Sequence, residues 1–233
     1  MNSSPKDLPK GFVYINDLDK SIRVNLKYFG KDNFIGKKIP HYKANKGILT
    51  KEAADALIKA QKIFISKGYS IVIYDAYRPA SSVKYFVEWM NDKNDMIRKK
   101  YHYPYIKEKI DMMDIYINSK SGHSKGSTVD ISIIELDKEL LKESIYEERT
   151  FNDKIYPFNN DNTIECGTSF DLMEPASWAD NNYFNFTDEQ KNNRKLIRDV
   201  MESVGFKVIP EEWWHFTLKN EPYIDKYFDF EIE

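Results

Sequence analysis

The chain has 233 residues, a net charge of −2, 41% hydrophobic and 15% aromatic content, and one cysteine, Cys166. This is apolar material for one domain with a substantial core, and too much for a disordered chain. The near-neutral charge excludes the basic face of a nucleic-acid binder, no run reaches the ~18 apolar residues of a membrane span, and a lone cysteine excludes an internal disulfide framework.

Residues 1–10 are polar with two prolines and read as a loose arm lacking the apolar stretch of a secretory leader. The expectation is a cytoplasmic protein, or a periplasmic or secreted one if a leader has been removed. Phe12–Ile15 and Ser21–Leu26 read as short strands and Asp32–Lys46 as a loop. Within this region Tyr28 and Asp32–Lys37 read as a structured turn more than as ligand contacts. Thr50 is a good N-cap for a helix to about Lys67, with Gly68 as terminator. Tyr69–Tyr74 is a β-branched strand that delivers Asp75, Tyr77 and Arg78 at its end, where Pro79 stops it. A helix follows over Ala80–Met90, with Val83, Phe86, Val87 and Met90 on one face. Residues 94–118 read as irregular helix.

Ser127–Ile134 reads as a strand. The alternating charges of Asp137–Glu148 predict an exposed helix. Thr187-Asp188-Glu189-Gln190 is a capping box opening a helix to Ser203, with Gly205 as stop. Phe206–Ile209 and Trp213–Leu218 complete the strands, and the aromatic C-terminus, Tyr223–Phe230, reads as packing. Cys166 reads as a small buried hydrophobe.

Two stretches carry chemistry: Ser121-Gly122-His123-Ser124-Lys125-Gly126-Ser127-Thr128-Val129-Asp130 and Glu212-Trp213-Trp214-His215. Alternation along a strand puts Thr128, Asp130 and Ser132 on one face, with Val129, Ile131 and Ile133 on the other. The second stretch likewise separates Trp213, His215 and Thr217 from Trp214, Phe216 and Leu218. If the strands are neighbours, Asp130 and His215 converge on the polar face, and the Gly122–Gly126 loop can fold His123 back toward them. Three protein ligands with an open position describe a catalytic zinc site, and spacing alone leaves that reading level with a plain core. Glu212 lies three residues from His215, opposite it on a regular strand, so only a turn at Pro210-Glu211 lets it lean over a metal. The other two of the four histidines, His41 and His102, lack acidic neighbours at ligand spacing and read as ordinary surface or core residues.

Ser-x-His-x-x-Gly-x-x-x-Asp with a distant Glu-x-x-His resembles the zinc D-alanyl-D-alanine dipeptidases of the VanX type, within the LAS metallopeptidases of peptidase family M15. Further blocks carry the resemblance along nearly the whole chain: Tyr28 with Asp32–Lys37, Asp75-Ala76-Tyr77-Arg78-Pro79, Phe170-Asp171, and Glu221-Pro222-Tyr223 with Tyr227-Phe228-Asp229-Phe230. It implies an α+β, hedgehog/DD-peptidase-like fold: one domain over 1–233, a small, mainly antiparallel sheet with helices on one side and the site on the other. It implies one Zn²⁺ held by His123, Asp130 and His215, with Glu212 as general base and acid and Arg78 stabilising the tetrahedral intermediate. A salt bridge to Asp75 is the bland alternative for Arg78. The implied substrate is a small D-amino-acid dipeptide, D-Ala-D-Ala, contacted by Asp171, Ser121, Tyr77 and Asp75, with Asp171 at its ammonium. No nucleic-acid or membrane partner is implied. Oligomeric state stays open, as does the role, whether vancomycin resistance, peptidoglycan recycling or nutrient use.

The chain departs from the family pattern at Gly122, where a second serine is common, and over 137–163, an insertion of roughly twenty residues. Two other readings share the metal set: a D,D-carboxypeptidase or L,D-endopeptidase on cell-wall peptides, and a zinc-stabilised binding module without turnover.

Overall fold

Residues 8–180 and 183–233 are described by the computed structural model, so most of the expected arm lies outside the described residues. Its last part is tied down: Pro9 O accepts the Phe12 N–H at 3.0 Å, and Lys10 O accepts the Tyr223 hydroxyl at 3.1 Å. In chain order the elements are β1 (Phe12–Tyr14), α1 (Ile15–Leu18), β2 (Arg23–Val24), β3 (Ile48–Thr50), α2 (Lys51–Ser66), β4 (Tyr69–Asp75), α3 (Ala80–Asn91), α4 (Lys99–His102), β5 (Thr128–Glu135), β6 (Ile145–Phe151), β7 (Lys154–Asn160), α5 (Asp188–Ser203), β8 (Phe206–Ile209) and β9 (Glu212–Leu218). The result is a mixed α+β fold.

The central sheet runs β2-β4-β5-β9-β8, parallel at β2–β4 and antiparallel elsewhere. Ile71 pairs with Ile133 and Ile73 with Ile131, all four fully buried. Each such side chain contributes roughly 1.5–3 kcal/mol of burial. Helices α2 and α5 pack on each other and on this sheet. Both begin as the sequence predicts. Thr50 accepts the Ala53 N–H, and Thr187 with Gln190 forms a reciprocal capping box. Helix α3 contributes Val83 and Phe86 to the wall of a cleft.

The expected helix over Asp137–Glu148 is not formed. From Ile145 the chain becomes a hairpin, β6 against β7, turned by Asn152-Asp153. Both turn residues have positive φ, 49° and 62°, the twist a two-residue hairpin needs. Phe151 and Tyr156 then bury an apolar face against Leu172, Ala176, Phe184 and Phe186. Charge alternation suggested a solvated helix, but the turn dipeptide and the cross-strand aromatics decide the structure. Among the described residues, no helix is long and apolar enough to cross a membrane.

Candidate metal centre and its cleft

Two irregularities in the central sheet build the site. Between β4 and β5, Ile73 pairs with Ile131 but Asp75 with Asp130, so Tyr74 is extra and the two carboxylates come level. Between β8 and β9, Val208 pairs with Phe216 and the next residue, Ile209, with Glu212. Residues 213–215 therefore arch away from β8 without a partner there. The arch cancels the strand alternation that would separate Glu212 from His215, and Glu212 Oε2 lies 3.4 Å from His215 Nδ1. On the other side of β9, Asp130 pairs directly with His215.

His123 enters from a single 3-10 turn, Gly122–Lys125, capped by the Ser121 hydroxyl and closed by Gly126 at φ 84°. Its Nδ1–H donates to Ala76 O at 2.7 Å, which leaves Nε2 as the free lone pair. That Nε2 is 3.3 Å from His215 Nδ1 and 3.2 Å from Asp130 Oδ2, while His215 Nδ1 is 3.0 Å from Asp130 Oδ1. The last contact lacks hydrogen-bond geometry, and Asp130 Oδ1 is buried with no hydrogen-bond partner. Two imidazole lone pairs and an orphaned carboxylate oxygen converge on one point. Donors arranged tetrahedrally ~2.0–2.1 Å from one ion lie about 3.3 Å apart. The residues fit a divalent cation of zinc's kind, and His123, Asp130 and His215 form a group able to hold one.

Burial pushes the Asp130 carboxyl up, but His123 and His215 outweigh it and hold it well below the usual carboxylate range. Burial pulls His215 down, and Asp130 with Glu212 overcomes this to raise it to about 9.

These groups form the floor of a cleft of about 360 Å³, at the small end for ligand sites. Arg78 lines it. Its Nε donates to Asp75 Oδ2 at 2.8 Å, its guanidinium lies over the Tyr28 and Phe86 rings, and Nη2 is 3.8 Å from Asp130 Oδ2. Both readings of Arg78 are thus compatible: the salt bridge to Asp75 aims the guanidinium at the metal group. Asp75 itself is fully buried and saturated, its Oδ1 taken by the Tyr42 hydroxyl at 2.7 Å. It does not line the cleft, so the expectation of direct ligand contact is corrected to a buried anchor for Arg78. Tyr77 is also corrected. Its ring stacks on Phe230 at 3.9 Å and its hydroxyl bonds the Phe230 backbone, because the C-terminal segment covers this face.

Ser121 and Asp171 line the cleft as expected. The Asp171 carboxyl accepts the Tyr28 hydroxyl at 2.9 Å. Burial, then the nearby Glu212 and Asp130 carboxylates, push it well above the ordinary carboxylate range. Tyr28, read from sequence as part of a turn, therefore reaches the cleft with both ring and hydroxyl. Asp32–Lys37 is a turn, held by Asn33, whose Nδ2 donates to the carbonyls of Lys27, Gly30 and Lys37. Gly122 has a local cause: a Cβ there would stand 2.9 Å from Thr128 Oγ1, which bonds Thr217 Oγ1 at 2.9 Å. The loop at Asp114–Asn118, not singled out in the sequence, closes another wall, with Tyr116 accepting a hydrogen bond from Trp178 Nε1.

Comparison with known proteins is consistent along the chain. Residues 9–143 and 154–233 match the peptidase M15 family described as D-Ala-D-Ala dipeptidase; the unmatched 144–153 contains β6 and its turn. A D-alanyl-D-alanine dipeptidase of Enterococcus faecium is 31% identical over 96% of this chain and 98% of its own length. One from Enterococcus faecalis is 32% identical over 97% of this chain and 100% of its own. One from Streptomyces coelicolor is 33% identical over 95% and 98%.

Proposed function

The chain belongs to the peptidase M15 family of D-Ala-D-Ala dipeptidases, and on that premise we propose that it hydrolyses free D-Ala-D-Ala to D-alanine with one zinc ion per chain. The observation that carries this is one small cleft with His123, Asp130 and His215 on its floor, Glu212 and Arg78 beside them, and a buried Asp171 in its wall. We read the fold as that of the hedgehog/DD-peptidase group, one catalytic domain whose elaboration is the unmatched 144–153, β6 and its turn, narrower than the insertion expected over 137–163.

His123 Nε2, Asp130 and His215 Nδ1 would hold the zinc, which supplies, when bound, a more acidic water and polarisation of the scissile carbonyl. Glu212 takes the proton of the attacking water on its carboxylate and returns it to the leaving amine. Arg78, aimed by Asp75 and Tyr42, faces the carbonyl oxygen as it gains negative charge; its fixed fork needs no reorganisation at that moment. Asp171 pairs with the substrate ammonium, which relieves the cost of a buried carboxylate beside two others. Ser121 offers a hydroxyl at the cleft wall.

The test is alanine release from D-Ala-D-Ala and from its N-acetylated form by zinc-loaded protein. Cleavage of the free dipeptide alone is expected. Equal cleavage of both would replace this reading with a carboxypeptidase on wall peptides. Cleavage of neither, with zinc bound, would leave a binding module.

A further inference from the structure

Asp171 aims its carboxylate into the cleft from a left-handed backbone position, φ 58°, a region that residues other than Gly, Asn and Asp rarely adopt. The neighbour that grips it is His102, the last residue of α4. His102 is 2% exposed and does not line the cleft. Its ring Nδ1 lies 3.1 Å from the Asp171 carbonyl oxygen, and its own carbonyl accepts the Met173 N–H at 2.7 Å. One residue thus binds the chain on both sides of position 172.

Its tautomer follows from its partners. A carbonyl only accepts, so Nδ1 carries the proton; a guanidinium only donates, so Nε2 accepts from Arg98 Nη2 at 3.1 Å. Burial first, and Arg98 second, depress its basicity to a pKa of about 3, so the ring stays neutral. Arg98 is fixed in turn by the Asn33 carbonyl at 3.1 Å and by Asp32 at 3.5 Å. Asp32 accepts the Ser144 hydroxyl at 2.6 Å, so the chain of contacts starts at the edge of the segment outside the family match.

We propose that His102 is a positioning residue for substrate selection: by donating to the Asp171 carbonyl it holds the Asp171 carboxylate where it pairs with the ammonium of a free dipeptide. This rests on the reading of Asp171 given above. The two ends of the imidazole can be separated by substitution. His102→Asn keeps a donor near the Nδ1 position, and His102→Gln places its amide near Nε2 and leaves the Asp171 carbonyl without its donor.

The experiment measures KM and kcat for D-Ala-D-Ala, and inhibition by N-propionyl-D-alanine, the same dipeptide lacking only its amino group. Expected for His102→Gln is a KM raised about tenfold, the worth of a charge-assisted contact, with kcat changed far less and N-propionyl-D-alanine inhibition unchanged. His102→Asn should restore most of the loss. A general loosening of the cleft would weaken substrate and des-amino analogue together, and that result would overturn the proposal. So would an unchanged KM, or His102→Asn as impaired as His102→Gln. If His102→Gln does not fold, Arg98→Ala removes the group that fixes the tautomer; it should raise KM in the same direction by about threefold, a partial loss of that contact, and no change would overturn the proposal. A wild-type enzyme that binds the des-amino analogue as well as the dipeptide would overturn the Asp171 reading itself, and this inference with it.

Discussion

The floor and the amino-end wall of the cleft are built by different means. The floor takes its groups from strand register: Asp130 opposite His215, Asp75 opposite Asp130, and Glu212 returned to the same side by the arch at 213–215. Sheet hydrogen bonds hold these groups wherever the core forms. The wall takes its groups from loops: Asp171 from a left-handed residue, Tyr28 from a 3-10 turn, and His102 from a one-turn helix, joined by side-chain hydrogen bonds. Chemistry on the floor should therefore be lost without loss of structure, and selectivity in the wall lost without loss of chemistry.

The largest effect is expected on the floor. Glu212→Ala should lower kcat by ~10²–10⁴, the worth of a general base, with zinc content and melting temperature unchanged; retained turnover would reassign the base. Arg78→Lys should cost ~10²–10³ in kcat, because a point charge cannot keep the Asp75 contact and face the carbonyl oxygen together. In the wall, Asp171→Asn should act mainly on KM, raising it at least ~10-fold for the free dipeptide while N-blocked peptides bind no worse; a kcat loss instead would dissolve the division.

A pH measurement sharpens the comparison. His102 is held near a pKa of about 3 in the folded chain, against an ordinary 6.5. Its contribution to stability is fully present above pH 6.5 and is lost as pH falls from there toward 3, at up to about 1.4 kcal/mol per pH unit. Urea melts across this range should show a flatter acid slope for His102→Asn than for wild type. The smallest effect belongs away from both regions. Thr187→Ala removes the capping box of α5 and should cost about 1 kcal/mol of stability, with no change in kcat or KM.

How much of this could be read in the residues follows the same division. The alternation in Ser127–Ile134 and around His215 predicted that Asp130 and His215 converge, because strand periodicity is written locally. The capping residues Thr50 and Thr187 and the stop at Gly68 fixed both long helices for the same reason. The position of Glu212 was stated only as a requirement; the arch that meets it depends on how β8 pairs, which no local pattern records. Contact of Asp75 and Tyr77 with the ligand is what the resemblance of the Asp75–Pro79 block implies, and a block match does not say which of its side chains face the cleft. Neighbours on a chain leaving a strand diverge, and these two point into the interior. His102 was passed over for lacking acidic neighbours in sequence, while its partners, Arg98 and the Asp171 carbonyl, are of a kind that ligand spacing does not test. Over Asp137–Glu148 the alternating charges point to a helix, but the Asn152-Asp153 turn and the aromatics across the hairpin decide the structure.

Gly122 has a bearing on how sequences of this family vary. A serine there would need the space of Thr128 Oγ1, which is tied to Thr217 Oγ1. Gly122, Thr128 and Thr217 therefore form one packing unit, in which a change at the first bears on the other two. Relatives with serine at the first should show a smaller or rotated side chain at the second and a changed partner at the third. Transplanting that serine alone into this chain would import a clash where a substrate contact was intended.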